Sequence, residues 1–163
     1  MNPPFSFTID LPVRNDWANI DLVRTSILNC FAAVFNDLDG CHAFAMVAGE
    51  LLENAIKYGD WHDSERPLHL RVWGEQHWAN VQVENPVAPD SRALQDLMES
   101  LARLETFRSA EDAYRAKLLE VAAAPRDGSV GKLGLARIAY EGNCRLKAEV
   151  KEDVLSVTSH MTF

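Results

Sequence analysis

Hydrophobic and polar residues alternate in several short segments of the chain, and this spacing predicts β-strands. In the first segment, FSFTIDL, the residues Phe5, Phe7, Ile9 and Leu11 fall on one face. Two more segments, LHLRVWG and WANVQVEN, are joined by the tight polar connection GEQH, and CRLKAEVKED and VLSVTSHMTF close the chain. The prolines of PVAPD end the third strand because proline cannot continue a strand ladder.

Helical spacing of apolar residues fills the intervals between these strands. It predicts a helix over 17–35, a turn at DLDG, and a helix from about Cys41 to Tyr58 that ends at Gly59. Two further helices are predicted within 90–124, and PRDGSVG is predicted as a loop before a helix over 133–140. The order predicts a single domain, 1–163, with the α/β fold of a two-layer sandwich. Its sheet is mixed or antiparallel, and its helices lie on one face.

The segment GELLENAIKYGD, residues 49–60, combines a full apolar helix face with an opposite polar stripe of Glu50, Glu53, Asn54 and Lys57. One interpretation is a solvated surface, with Glu53 and Lys57 forming an ion pair one turn apart. The other is a functional site. Further along the chain, DGSVGKLGLARIA, residues 127–139, places three glycines before or at a helix start. Free N–H groups at a helix N-terminus, approached through glycines, are typical of an anion site.

Composition narrows the classes of partner and compartment. The net charge is −8 and the sequence pI is about 5.0, which disfavours non-specific binding to nucleic acid or to an acidic membrane. Three widely spaced cysteines without a CxxC motif indicate reduced, mostly buried thiols and a cytoplasmic protein. The N-terminus lacks the features of a signal peptide, and no apolar run is long enough to span a membrane. The histidines lack the spacing of metal ligands.

With these segments in place, the chain resembles the GHKL-type ATPase fold, in particular the stand-alone anti-sigma-factor and partner-switch serine/threonine kinases of bacteria. ELLENAIKYG is similar to the N-box of that family, E-x-x-x-N-A. The resemblance implies that Asn54 coordinates Mg²⁺ bound to the ATP phosphates and that Glu50 is the general base. Both roles suit the residues, because an amide oxygen is a hard ligand and a carboxylate can accept a proton. GKLGL, residues 131–135 (Gly131, Lys132, Leu133, Gly134 and Leu135), is similar to the glycine box that cradles phosphate.

Two positions depart from the family pattern. Where the family has D-x-G-x-G, whose Asp binds the adenine amino group, this chain has VENPVAPD with Asn85 in the place of the Asp. An Asn side chain can accept a hydrogen bond from an amino group and donate one to a ring nitrogen. In an ungapped match to G-x-G-L-G-L, Lys132 replaces the middle glycine. It either blocks close approach of phosphate or supplies a cation to it, and the second interpretation is preferred.

The resemblance implies an ATP- and Mg²⁺-binding signalling regulator that binds, and phosphorylates, a small partner protein. Segment 90–124 stands where the family has a short ATP lid, and it is either a helical lid or partner surface, or additional core packing. One alternative is a non-enzymatic partner-binding module with a degenerate nucleotide site, and another is a small ATPase. Relatives of this kind are often homodimers. The arginines Arg66 and Arg137 could reach a phosphate, although lone arginines usually lie at the surface.

Overall fold

The computed structural model describes residues 4–13, 20–62, 66–123 and 133–162. Within these ranges the protein has an α/β fold with five strands and five helices, in the predicted order. The strands are β1 (Phe5–Leu11), β2 (Leu68–Glu75), β3 (Trp78–Pro86), β4 (Cys144–Lys151) and β5 (Val154–Thr162). The helices are α1 (Ile20–Ala32), α2 (Leu38–Tyr58), α3 (Arg92–Glu105), α4 (Ala110–Ala123) and α5 (Gly134–Glu141).

The five strands form one sheet in the order β1-β2-β3-β5-β4, and every neighbouring pair is antiparallel. The last strand therefore inserts between β3 and β4. In this register Val83 at the centre of β3 lies between Leu70 of β2 and Val157 of β5. The antiparallel option of the prediction is thus confirmed, because each strand in the described residues pairs with an antiparallel neighbour.

Alternation along the strands separates a buried face from an exposed one. On β2, Leu68, Leu70 and Val72 are buried, whereas His69 and Arg71 are exposed. The buried strand residues pack together with residues of α1, α2 and α5 in a single hydrophobic core. The helices therefore cover one face of the sheet, as the two-layer prediction requires.

The predicted turn at DLDG is wrong over most of its length. Helix α2 begins at Leu38, and Asp37 is its N-cap, with the Asp37 side chain accepting a hydrogen bond from the N–H of Gly40. An aspartate followed by an acidic first turn is a favourable helix start, because it satisfies a free N–H group and complements the helix dipole. Helix α1 ends at Ala32, three residues before the predicted end at Phe35. The segment PRDGSVG lies outside the described residues.

The cysteines are free, and Cys41 and Cys144 are buried, whereas Cys30 is exposed. Burial raises the pKa of the Cys144 thiol to about 12, which keeps it protonated and unreactive. No helix within the described residues has the length and apolar character needed to cross a membrane.

Gly142 ends α5 at the point where this helix meets α2. A Cβ atom at this position would lie 2.5 Å from the carbonyl oxygen of Ile138 and 2.5 Å from Cγ2 of Val47. We expect Gly142→Ala to lower the free energy of unfolding by about 1–3 kcal/mol, because backbone and core must move apart. Urea unfolding measures this loss. Gly40→Ala, in the first turn of α2, is the control and should be neutral or stabilising. A Gly142→Ala variant as stable as this control would contradict the prediction.

Candidate functional site

The polar stripe of α2 consists of two exposed residues and two half-buried residues. Glu53 and Lys57 are exposed, and Glu53 pairs with Arg24 of α1, with 3.2 Å between Oε1 and Nη2. Lys57 lies over the ring of Tyr58, 5.1 Å from its centroid. Glu50 and Asn54 are half-buried and face the start of α5. Glu53 and Lys57 are therefore solvated, but the predicted ion pair between them is wrong, because Glu53 pairs with Arg24. A candidate site remains at Glu50 and Asn54.

Glu50 is held between two helices. Its Oε1 accepts a hydrogen bond from Nη1 of Arg137 on α5 at 3.0 Å, and its side chain is 18% exposed. Burial raises the pKa of the Glu50 carboxyl, and the nearby charge of Glu53 raises it further, while Arg137 and Arg24 act in the opposite direction. A carboxyl group with a raised pKa is better suited to accept a proton near neutral pH than an ordinary surface glutamate.

The amide nitrogen of Asn54 is buried and has no hydrogen-bond partner in the part of the chain that the structure describes. Leaving a buried amide donor unsatisfied costs about 1–3 kcal/mol, so such a group marks a strained position or the place of a missing partner. Its position one turn after Glu50 places the two polar groups on the same side of α2.

The start of α5 approaches both side chains. A Cβ atom at Gly134 would lie 2.9 Å from Oε2 of Glu50 and 3.8 Å from Nδ2 of Asn54, so glycine permits this close approach. Leu133 is the N-cap residue and makes no side-chain capping hydrogen bond. The first N–H groups of a helix lack partners within the helix. Gly134 and Leu135 thus lie where the sequence predicts them, whereas Gly131 and Lys132 lie outside the described residues.

A cleft lies between α2, α3 and α5. Its outer part is a cavity of about 300 Å³ whose lining residues are Asn54, Tyr58, Arg92, Ala93, Asp96, Leu97, Ser100 and Leu135. Its inner part is a narrow, largely apolar space of about 20 Å³ that adjoins Asn54, Leu135 and Asn85. A cavity of 300 Å³ with mainly apolar walls and a few polar groups is within the range of small-molecule sites.

Asn85 lies at the inner end of this cleft, near the end of β3. The residue is 3% exposed, and its Nδ2 donates a hydrogen bond to the carbonyl oxygen of Pro86 at 3.0 Å. With the donor group engaged in this way, the amide oxygen Oδ1 is the atom suited to accept a hydrogen bond from a ligand.

The chain matches no protein-family model and no curated protein. The function must therefore be inferred from the site itself. Asn54 of α2, Asn85 at the end of β3 and Leu135 at the start of α5 line the cleft, and Glu50 lies beside Gly134, the residue before Leu135. The structure thus brings together Glu50, Asn54, Asn85, Gly134 and Leu135.

The positions of several residues in or near the cleft were not predicted from the sequence. The sequence left open whether Arg137 reaches a phosphate or lies at the surface, and it did not indicate the contact with Glu50. The place of Arg137 three residues after Gly134, on the same side of α5, was the available signal. Arg66 instead pairs with Asp153, 2.5 Å away at the β4–β5 turn. Asp96 and Ser100 of α3 also line the outer cavity, and no sequence pattern around them indicated this position.

Trp61 lies at the end of α2 rather than in the cleft. Its indole N–H donates to the carbonyl oxygens of Ala55 and Ile56, both at 3.2 Å. These carbonyls belong to the last turn of α2, and that of Ala55 also accepts a hydrogen bond from the N–H of Gly59 at 2.9 Å. Trp61 therefore has a capping and packing role at the end of the helix.

Proposed function

We propose that the protein binds ATP with Mg²⁺ in the cleft between α2, α3 and α5, and that it is a signalling regulator of the GHKL type. In this role it binds a small partner protein and phosphorylates a Ser or Thr side chain on it. The observation that supports the proposal most directly is that Asn54 and Leu135 line one cleft, and that Glu50 and Asn54 both approach Gly134 at the start of α5. These residues belong to the two segments that resemble the N-box and the described part of the glycine box.

The residues in the cleft fit a nucleotide. The amide oxygen of Asn85, at the inner end of the cleft, would accept a hydrogen bond from the adenine amino group. Leu97 and Leu135 supply apolar wall for a base. The N–H groups at the start of α5 would receive phosphate oxygens.

The residues also fit a magnesium ion that is held mainly by phosphate and water. Within the described ranges, no group of three or more His, Cys, Asp or Glu side chains is arranged to bind a metal. Mg²⁺ commonly takes one or two ligands from protein and the rest from phosphate and water. Asn54 would supply its amide oxygen to the ion, as the resemblance to the N-box implies, and its Nδ2 would remain a hydrogen-bond donor. The ion would neutralise charge on the phosphates.

Glu50 would take the proton of the attacking hydroxyl group. Its carboxylate lies next to the start of α5, where the terminal phosphate would bind, and burial raises its pKa toward the working range of a general base. Helices α3 and α4 would cover the nucleotide and offer the surface for the partner. Leu119 of α4, 72% exposed, and Leu118 are apolar residues on that surface.

A second candidate function is a partner-binding module that makes little or no use of nucleotide. Two observations favour it. The carboxylate of Glu50 is engaged by Arg137, and the inner part of the cleft is a space of only about 20 Å³. Such a protein would act through the exposed leucines of α4.

Titration calorimetry with ATP and Mg²⁺ separates these candidates. We expect binding to the wild type, and we expect Asn54→Ala to weaken it about tenfold or more, as for the loss of 1.5–3 kcal/mol. Asn29→Ala, an exposed asparagine of α1, is the matched control and should bind normally.

With EDTA the wild type and Asn54→Ala should bind ATP equally, because the assigned role of Asn54 is to hold the metal. No binding to the wild type at saturating ATP would sink the proposal, and equal binding by Asn54→Ala with Mg²⁺ would refute the role of Asn54.

The reaction is tested by incubating the protein with γ-labelled ATP, Mg²⁺ and the protein encoded beside it. Label on a Ser or Thr of that second protein supports the kinase. Binding of ATP with rapid release of labelled phosphate, without any partner, supports a small ATPase instead.

A further inference from the structure

Arg137 links the candidate base to a second carboxylate. Its Nη1 donates to Oε1 of Glu50 at 3.0 Å, and its Nε donates to Oε2 of Glu141 at 2.9 Å. Glu141 lies one turn further along α5. Because Nε and Nη1 are different donors of one rigid plane, two carboxylates hold the orientation of the guanidinium group.

Helix α4 supports this arrangement from the other side. The hydroxyl group of Tyr114 lies 3.5 Å from Oε1 of Glu141, and the ring of Tyr114 stacks on Tyr140 with 5.1 Å between centroids. A continuous series of contacts therefore runs from Tyr114 through Glu141 and Arg137 to Glu50. It joins α4, a helix of the segment predicted as lid or partner surface, to the polar stripe of α2.

We propose that Arg137 is a positioning residue that holds the Glu50 carboxylate toward the start of α5, and that Glu141 and Tyr114 hold Arg137. The role rests on the proposed phosphoryl transfer, in which Glu50 accepts a proton. Glu50 is half-buried and lies one turn from the like charge of Glu53. A carboxylate in that position turns away from its neighbour or takes up a proton unless a cation holds it. A Lys side chain has a single charged nitrogen, so it cannot hold two carboxylates with a planar fork.

The nucleotide-free protein gives the first test. In a ¹⁵N NMR spectrum, the Nε–H of Arg137, assigned by its loss in Arg137→Lys, should exchange slowly with water because it is bonded to Glu141. Glu141→Gln should speed this exchange, and Glu50→Gln should shift the signal, because both change the partners of one guanidinium group. Arg115, which pairs with Glu111 on the exposed side of α4, is the control and should respond to neither change. An Arg137 signal insensitive to both substitutions would overturn the proposal.

The second test separates positioning from binding. Under single-turnover conditions with labelled ATP, Mg²⁺ and the protein encoded beside it, Arg137→Gln should slow transfer of the label to that protein about 10- to 100-fold, while the Kd for ATP stays within about twofold of the wild type. Arg137→Lys should recover part of the rate, and Arg145→Gln, at an exposed arginine of β4, should behave as wild type. Equal losses in rate and in ATP affinity would make Arg137 a phosphate ligand and overturn the proposal. An unchanged rate in Arg137→Gln would overturn it as well.

The pH dependence of the same reaction distinguishes a positioning residue from an ion pair that only stabilises the fold. The charged groups that act on Glu50 are Glu53 on α2, Arg24 on α1 and Arg137 on α5. Removing the cation in Arg137→Gln raises the pKa of Glu50, so the acidic limb of the rate should move to higher pH. An unmoved limb contradicts the positioning role. A wild type that binds no ATP instead overturns the proposed function, and the positioning role with it, even where the NMR contacts are found.

Discussion

Glu50→Gln is expected to slow phosphoryl transfer from ATP about 10²- to 10⁴-fold, the usual contribution of a general base. The amide keeps the shape of the side chain but cannot accept the proton. The Kd for ATP should change little, because the assigned role of Glu50 is toward the attacking hydroxyl group. Single-turnover rates with labelled ATP measure the loss, and calorimetry measures binding.

Glu53→Gln is the matched control for this prediction, because it removes a carboxylate three residues away on the exposed part of the same stripe. Its effect on the rate should be small. The wild-type rate should rise with pH as Glu50 loses its proton, and the midpoint should lie above the ordinary glutamate pKa of about 4.3 because burial raises it. Glu50→Gln should lack this limb. A Glu50→Gln variant with the wild-type rate would show that Glu50 is not the base.

Phe31→Ala is expected to lower the free energy of unfolding by about 3–5 kcal/mol, the range for truncating a buried aromatic residue. Phe31 is 1% exposed and stacks on Phe44 of α2 with 3.9 Å between ring centroids. Phe35 stacks at 5.4 Å, and Phe5 and Phe7 of β1 make edge contacts at 5.7 and 6.4 Å. The substitution therefore leaves a cavity where α1, α2 and β1 meet.

Urea unfolding measures this effect, and Leu22→Ala on the same helix is the control, since Leu22 is exposed. The control should change stability by no more than about 0.5 kcal/mol. A loss below about 1 kcal/mol in Phe31→Ala would mean that the neighbouring rings collapse into the space, and it would contradict the rigid packing described above.

Much of the local structure was predictable because buried residues recur at a fixed spacing along a strand or a helix. The alternation on β2 places Leu68, Leu70 and Val72 on the buried face as predicted. The helical period separates Glu50 and Asn54 from the apolar face of α2. Boundaries were less predictable, since DLDG has the composition of a turn while Asp37 is the cap of a helix. Turns and helix starts use the same residues, so local composition does not distinguish them.

The candidate site was predictable only in part. Motif resemblance selected Asn54 and Glu50, and the structure places both beside Gly134. The motif resemblance did not select Arg137. Its ion pair with Glu50 joins residues 87 positions apart, and such a contact produces no repeating pattern in either segment.

The sequence by itself therefore determined the order of elements, the buried faces of β2 and α2, and the polar stripe of α2 that contains Glu50 and Asn54. These are consequences of local periodicity, which short stretches of chain carry without reference to the rest. Only the tertiary structure decided that β5 lies between β3 and β4, that Glu53 is solvated while Glu50 is half-buried, and that Arg137 holds Glu50. Such facts depend on how distant segments pack, and packing is set by the whole core rather than by any one segment.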